Sequence, residues 1–338
     1  MRCLFMPILL PALLWADARP TLNGEERTNG EKVLKEVAPM LPEARAACAQ
    51  VLDEKGGVLA SAVWVGADGY FLTKASETPD IEKGCIRWQG AKSAAIREIR
   101  RLPGHDLLLA QAVGVAGVKP VVFDAAAPLP EYGEWTAAPV KGGAEIRIGV
   151  ISARARGIPG LGAAMGIRMD EKPNKEGVRI LSIAEDSPAG TAGLQGGDVI
   201  LRMDGEAVGD FKAVHESIKK RQPGDQVQVT YRRKDKEAVA RVRLASRTRV
   251  MMNWEGEDFA NGGISVRTDH FARVLQHDLP LGPQDMGGPL YDLKGRALGI
   301  NIARVDRVTT FALPAGVFWK EVALLIEADR HPPRAIRP

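Results

Sequence analysis

Nucleophilic chemistry needs a hydroxyl, thiol or amine held beside a group able to take its proton. In this chain the residues that could meet that need are few and scattered. Its five histidines form no H-x-x-x-H pair, so no spacing points to a metal site, and no cofactor is expected. His105 stands next to Asp106, but neighbours on a strand point to opposite faces and cannot serve one reacting group. His277 shortly precedes the turn GPQDMGGPL at 282–290 and could face the same cleft as that turn. The turn itself holds neither serine nor cysteine. Met286 within it carries a thioether, which cannot be deprotonated and forms no stable acyl intermediate.

The elements that would position these groups follow from pattern. From 45 to 157 short β-type runs (CAQVLD, ASAVWVG, YFLTKA, CIRWQG, LLLAQAV) are separated by turn signals such as Ala67-Asp68-Gly69, which suggests an all-β sandwich or barrel. Residues 158–247 differ. A glycine-rich entry, GIPGLGAAMG, precedes a strand-like VRILSIA, a helix from Phe211 to Lys220, a turn at Pro223-Gly224-Asp225 and the strands QVQVTYRR and VARVRLA. Such a mixture makes a self-contained α+β module. The β pattern resumes over 248–326 with LYDL, ALGINIAR and VTTFALP, and ends on an amphipathic WKEVALLIEA helix before a Pro/Arg-rich tail at 327–338.

Residues 1–18, MRCLFMPILLPALLWADA, have the layout of a cleavable secretory signal: an early arginine, an apolar run from Leu4 to Trp15, and Ala16-Asp17-Ala18 as a small-x-small site. The run is shorter than the ~20 residues of a membrane span, and no later segment is longer, so the mature chain is expected to have no transmembrane segment. Residues 19–44 read as a leader with a short helix. Export to the periplasm or cell envelope follows as the expectation. After cleavage Cys48 and Cys85 remain, and in an oxidising compartment they could pair; two buried unpaired thiols fit the sequence equally well. The net charge of +4, from 46 basic and 42 acidic residues spread along the chain, gives no case for nucleic-acid binding.

Within the α+β module, SPAGTAGLQGGDVILRMDGEAV resembles the PDZ domains of bacterial proteases. The matching residues are Ser187, Pro188, Ala189, Ala192, Gly193, Leu194, Gly197, Asp198, Ile200, Asp204 and Gly205. PDZ domains add an extended peptide to an exposed sheet edge beside a helix. The resemblance implies a carboxylate-receiving loop at Ala164-Met165-Gly166-Ile167, an edge strand through Met169, and a flanking helix presenting Phe211, His215 and Ile218 at i, i+4 and i+7.

The flanking β segments resemble the HtrA/Deg family of secreted serine proteases, which implies a mainly β fold: a chymotrypsin-like double β-barrel with an inserted α+β PDZ domain. The carrying stretches are GYFLTKAS at 69–76, DLLLA from Asp106, GPQDMGGPL, GRALGIN and VTTFALPA. By that resemblance Ser76, Asp106 and Met286 occupy the positions of the catalytic histidine, aspartate and serine. Two of three members are replaced by residues without the needed chemistry, so none is expected to be functional. The backbone N–H groups around Gln284 and Met286 could still form an anion pocket. The resemblance implies an exported pseudoprotease that binds unfolded or C-terminal peptides of envelope proteins as scaffold, sensor or holdase. Two other readings stand beside it: an active endopeptidase with a non-standard catalytic arrangement, and a regulatory subunit of an active homologous protease. It further implies a homo-oligomer or an assembly with such a protease.

Overall fold

The computed structural model describes residues 23–27, 30–172, 176–184, 186–254 and 262–332, so the signal-like residues 1–18 and the end of the tail lie outside the described residues. Where the sequence reads one short helix, two lead in: α1 (Glu31–Val37) and α2 (Leu41–Ala46), with one 3-10 turn between them. Pro39 and Pro42 lack the N–H that a continuous helix would need.

Six strands then close a first barrel: β1 (Cys48–Leu52), β2 (Val58–Trp64), β3 (Tyr70–Lys74), β4 (Cys85–Trp88), β5 (Lys92–Leu102) and β6 (Leu107–Ala112), in the order β1-β2-β3-β6-β5-β4. Their apolar runs fill the interior, where Trp64 meets Phe71 and Trp88 edge-on at 5.8 and 5.5 Å between ring centres. A second barrel opens with β7 (Trp135–Val140) and β8 (Glu145–Ile158).

The chain then leaves it for the α+β module. The module holds β9 (Ala163–Ala164), β10 (Ile167–Met169), β11 (Val178–Ile183), α3 (Pro188–Thr191), β12 (Val199–Met203), β13 (Glu206–Ala207), α4 (Phe211–Lys219), β14 (Gln226–Arg233) and β15 (Lys236–Arg243). Its sheet runs β10-β11-β12-β14-β15, which leaves β10 on an edge. The return passes through β16 (Ala245–Ser246), paired with β9, and α5 (Arg247–Trp254). The second barrel is completed by β17 (Phe271–His277), β18 (Pro289–Asp292), β19 (Ala297–Arg304) and β20 (Thr310–Pro314), closing in the order β17-β20-β19-β18-β7-β8. The module is therefore an insertion between neighbouring strands β8 and β17.

The polar residues of the module's motif hold its turns. Ser187 caps α3 by accepting the Gly190 N–H, and buried Asp198 takes both a backbone N–H from Gln195 and a two-pronged contact from Arg233 at 2.8 Å each. Asp204 and Gly205, both at positive φ, make the two-residue hairpin between β12 and β13. After β20, α6 (Ala315–Arg330) buries Ala315, Phe318, Val322 and Ile326 against the shared core of both barrels, with Phe318 edge-on to Phe123 at 5.3 Å.

The cysteine pair does not form. Leu52 of β1 is opposite Cys85 of β4, and Cys48 lies four residues further along, about 13 Å away at the rise of a strand. That separation is about twice what a disulfide spans. Both are free thiols, and burial pushes the Cys48 thiol far up.

Candidate functional site

Of the three positions named from the sequence, Ser76 and Asp106 touch each other, in a closed arrangement, while Met286 lies in the core of the second barrel. Asp106 does not open a strand. It sits in the turn before β6 at φ +55°, which sends His105 outward to Glu321 of α6 (3.2 Å) and turns its own carboxylate inward. That carboxylate is fully engaged. Its Oδ1 accepts the Ser76 N–H at 2.8 Å, and its Oδ2 accepts the Ser76 hydroxyl at 2.8 Å and the Lys74 ammonium at 2.7 Å.

Lys74 is the group that sequence reading passed over. It closes β3 with no exposed surface and gives its remaining two N–H donors to the carbonyls of Arg267 (2.9 Å) and Ile302 (2.7 Å). All three ammonium donors are thus used, and the side chain ties the first barrel to β19 of the second. A lysine in an otherwise apolar strand run, YFLTK, was the available signal, because lysine is almost never fully buried unless paired.

The module covers this network. Gly224, in its Pro-Gly-Asp turn, lies against Ser76: at φ +97°, a Cβ added there would stand 3.1 Å from the Ser76 Cβ. Only glycine allows the turn to come so close. Ser76 is consequently 5% exposed.

Met286 is fully buried, its side chain among Val140, Leu275, Leu279, Leu281 and Leu290 in the second barrel's core. Its N–H donates to the Pro283 carbonyl at 3.2 Å, closing the 3-10 turn Pro283–Asp285. The anion pocket expected from the sequence therefore lacks that donor. The Met286 carbonyl accepts the Ser61 N–H of β2 at 2.9 Å, and the Gly287 N–H donates to the Asn301 carbonyl at 2.7 Å. Gly287 has φ +92°, and a Cβ there would stand 2.2 Å from the Ser61 carbonyl oxygen. The Gly-Gly-Pro turn is thus a tie between the barrels.

His277 does not face the cleft either. It is buried inside the second barrel, with Nε2 2.9 Å from the Asn301 side-chain oxygen and Nδ1 accepting the Leu279 N–H at 3.4 Å. Burial lowers its pKa from 6.5 to about 4. Above pH ~6.5 the ring is neutral in folded and unfolded chains alike. Between pH 6.5 and 4 only the unfolded chain takes up the proton, so stability falls with falling pH. At pH 5 the loss relative to pH 7 is about 2 kcal/mol, and His277→Gln should abolish that share of the difference in urea unfolding curves.

The second candidate site is a groove of the module, a cavity of about 400 Å³. Met165, Gly166, Ile167 and Met169 line one side; His215, Ile218 and Lys219 of α4 line the other. Phe211 is not on it. The core stripe of α4 is Phe211, Val214 and Ile218, at i, i+3 and i+7, so Phe211 packs half-buried against the module core while His215 and Lys219 turn to the groove. The Gly166 carbonyl accepts the Ala184 N–H at 2.9 Å, and among the described residues the N–H groups of Met165 and Gly166 have no backbone acceptor. An edge strand beside a helix, with free N–H donors at one end, can accept an extended chain that terminates in an anion.

Residues 163–244 match the family model described as PDZ domain. By sequence the chain is 30% identical over 95 residues to the serine protease Do-like HtrA of Lactobacillus helveticus, a match covering 28% of this chain and 23% of that relative. Among solved structures it is similar to the HtrA-type protease AlgW with decapeptide (14% identity, 62% of this chain and 98% of that one, TM-score 0.30). It is also similar to the serine endoprotease from Yersinia pestis (15% identity, 62% and 97%, TM-score 0.31). The chain thus carries a PDZ domain on a mainly β, chymotrypsin-like frame, and is similar to the HtrA-type serine proteases.

Proposed function

We infer that this protein binds extended or C-terminal peptide segments of exported proteins in its PDZ groove and does not cut them. One contrast carries the reading. The position of the nucleophile is filled by a thioether in a barrel core, while the groove keeps an apolar lining and two N–H donors that have no backbone acceptor among the described residues. The triad mechanism needs an imidazole to take a proton and a hydroxyl or thiol to attack, and neither Ser76 nor Met286 supplies these. Asp106, the third position, is spent on Lys74 and Ser76. Export, inferred from residues 1–18, places the peptides among proteins of the cell envelope, where a non-cutting binder acts as scaffold, sensor or holdase.

The test is fluorescence anisotropy of labelled decapeptides ending in Val, Leu or Phe. Binding is expected, and Ile167→Asp, which sets an unpaired carboxylate in the apolar groove, should weaken it by roughly tenfold or more. Absence of binding, or full binding by Ile167→Asp, would contradict the reading.

A further inference from the structure

We propose that the cavity between α2, the connection from β6 to β7 and the β18–β19 turn is a binding site for a small organic acid. The carboxylate of this ligand meets the Tyr291 hydroxyl and Lys294, and its apolar body lies against the cavity wall. The site shares no lining residue with the peptide groove and does not rest on the peptide-binding reading.

Alternation along β18 creates the site. Leu290 is buried in the core of the second barrel, so Tyr291, next on the strand, points the opposite way. There it joins Ala44, Ala47 and Val121 around a cavity of about 400 Å³. That volume lies within the roughly 300–1,000 Å³ of small-molecule sites. Pro39, Pro120 and Leu293 extend the apolar wall.

Tyr291 is 5% exposed, yet its hydroxyl has no hydrogen-bond partner among the described residues. A buried phenol ordinarily finds one. The oxygen is not sealed off by its neighbours, and the cavity that the side chain lines is what it opens on. Burial pushes its pKa far up, so the group is a hydrogen-bond donor throughout the neutral range.

The charges around the cavity select the ligand. Glu43 is the one carboxylate among the described residues that line it, and it already accepts the Lys119 ammonium at 2.7 Å. Arg296 gives its Nε to Asp292 at 3.0 Å, whereas exposed Lys294 makes no ion pair with a described residue. The turn that carries Lys294 is stiff. Asp292 accepts the N–H groups of Lys294 (3.0 Å) and Arg296 (2.8 Å), and Gly295 turns the chain at φ +79°. The facing connection is pinned too, since the Val121 N–H donates to the Trp64 carbonyl at 2.8 Å and Phe123 bridges to Ala297 of β19. A pocket held this way costs a ligand little ordering. A carboxylate on a short apolar body satisfies the phenol, the ammonium and the wall together. An alcohol satisfies only the phenol and the wall, and an amine brings the wrong charge to Lys294.

Isothermal titration of the unmodified chain with octanoate, 1-octanol and octylamine is the test. Octanoate is expected to bind, the alcohol at least roughly tenfold more weakly, and the amine not at all. Tyr291→Phe removes only the hydroxyl and should weaken octanoate roughly tenfold. Its thermal midpoint should not fall, because no internal hydrogen bond is lost. Lys294→Gln should weaken octanoate several-fold and leave the alcohol unchanged. A decapeptide held in the groove should leave octanoate binding as it is. The inference is overturned if octanoate does not bind, if the alcohol or the amine binds as well, or if either variant keeps full affinity. A decapeptide that displaces octanoate, or a lowered midpoint in Tyr291→Phe, overturns it too.

Discussion

Exchanging Lys74 for methionine should lower the unfolding free energy by about 3–5 kcal/mol, the cost of leaving a buried carboxylate without its counter-ion. The loss comes from what remains rather than from what is removed. Asp106 would keep its two contacts from Ser76 but lose its one bonded counter-ion in a site only 3% exposed, with only the less direct charges of Arg243 and Arg267 left, and the carbonyls of Arg267 and Ile302 would lose their donor. The remedy follows from the same physics. Adding Asp106→Asn to Lys74→Met removes the stranded charge and should recover much of the stability. Urea unfolding of the two single variants and the double variant measures the coupling. A harmless Lys74→Met would mean that the ion pair is not buried as described.

Building a triad by residue type at these positions should fail. The double variant Ser76→His, Met286→Ser supplies an imidazole and a hydroxyl, yet no peptide hydrolysis is expected above that of the unmodified chain. At position 76 the Gly224 turn leaves no room for a ring, and Asp106 is already bound to Lys74. At position 286 the side chain points into the core, so a serine would leave a cavity and bury a hydroxyl. Those two effects together cost about 4 kcal/mol. Forcing a ring against Gly224 costs about 1–3 kcal/mol more. Against a usual total of roughly 5–15 kcal/mol, a large drop in the thermal midpoint is expected. Turnover in this variant would show that the cleft opens in solution and that the module does not cap it.

How far the sequence could be read depended on whether a feature is local. The module's turns were legible because Ser187, Asp198 and Asp204-Gly205 act within a few residues of themselves: a cap, a turn carboxylate and a two-residue hairpin. The barrels were legible as short apolar runs between turn signals, and the insertion as a change of pattern between them. What escaped depends on contacts between distant segments. Lys74 reaches residues 193 and 228 positions away, and Gly224 meets Ser76 only because the module docks on the first barrel. The spacing of Phe211, His215 and Ile218 did not say which of them turns to the core and which to the groove. The inward direction of Met286 had no local signal at all, since a methionine suits a core and a cleft equally well.

The most direct measurement takes the chain from Arg19 onward, incubates it with a labelled decapeptide at concentrations where anisotropy reports complex, and weighs the recovered peptide by mass spectrometry. A Ser76→Ala, Met286→Ala variant beside it exposes any contaminating protease. The account predicts a bound peptide recovered at its full mass from both proteins. Fragments from the unmodified chain alone would contradict it, and would require a nucleophile other than the residues at 76 and 286.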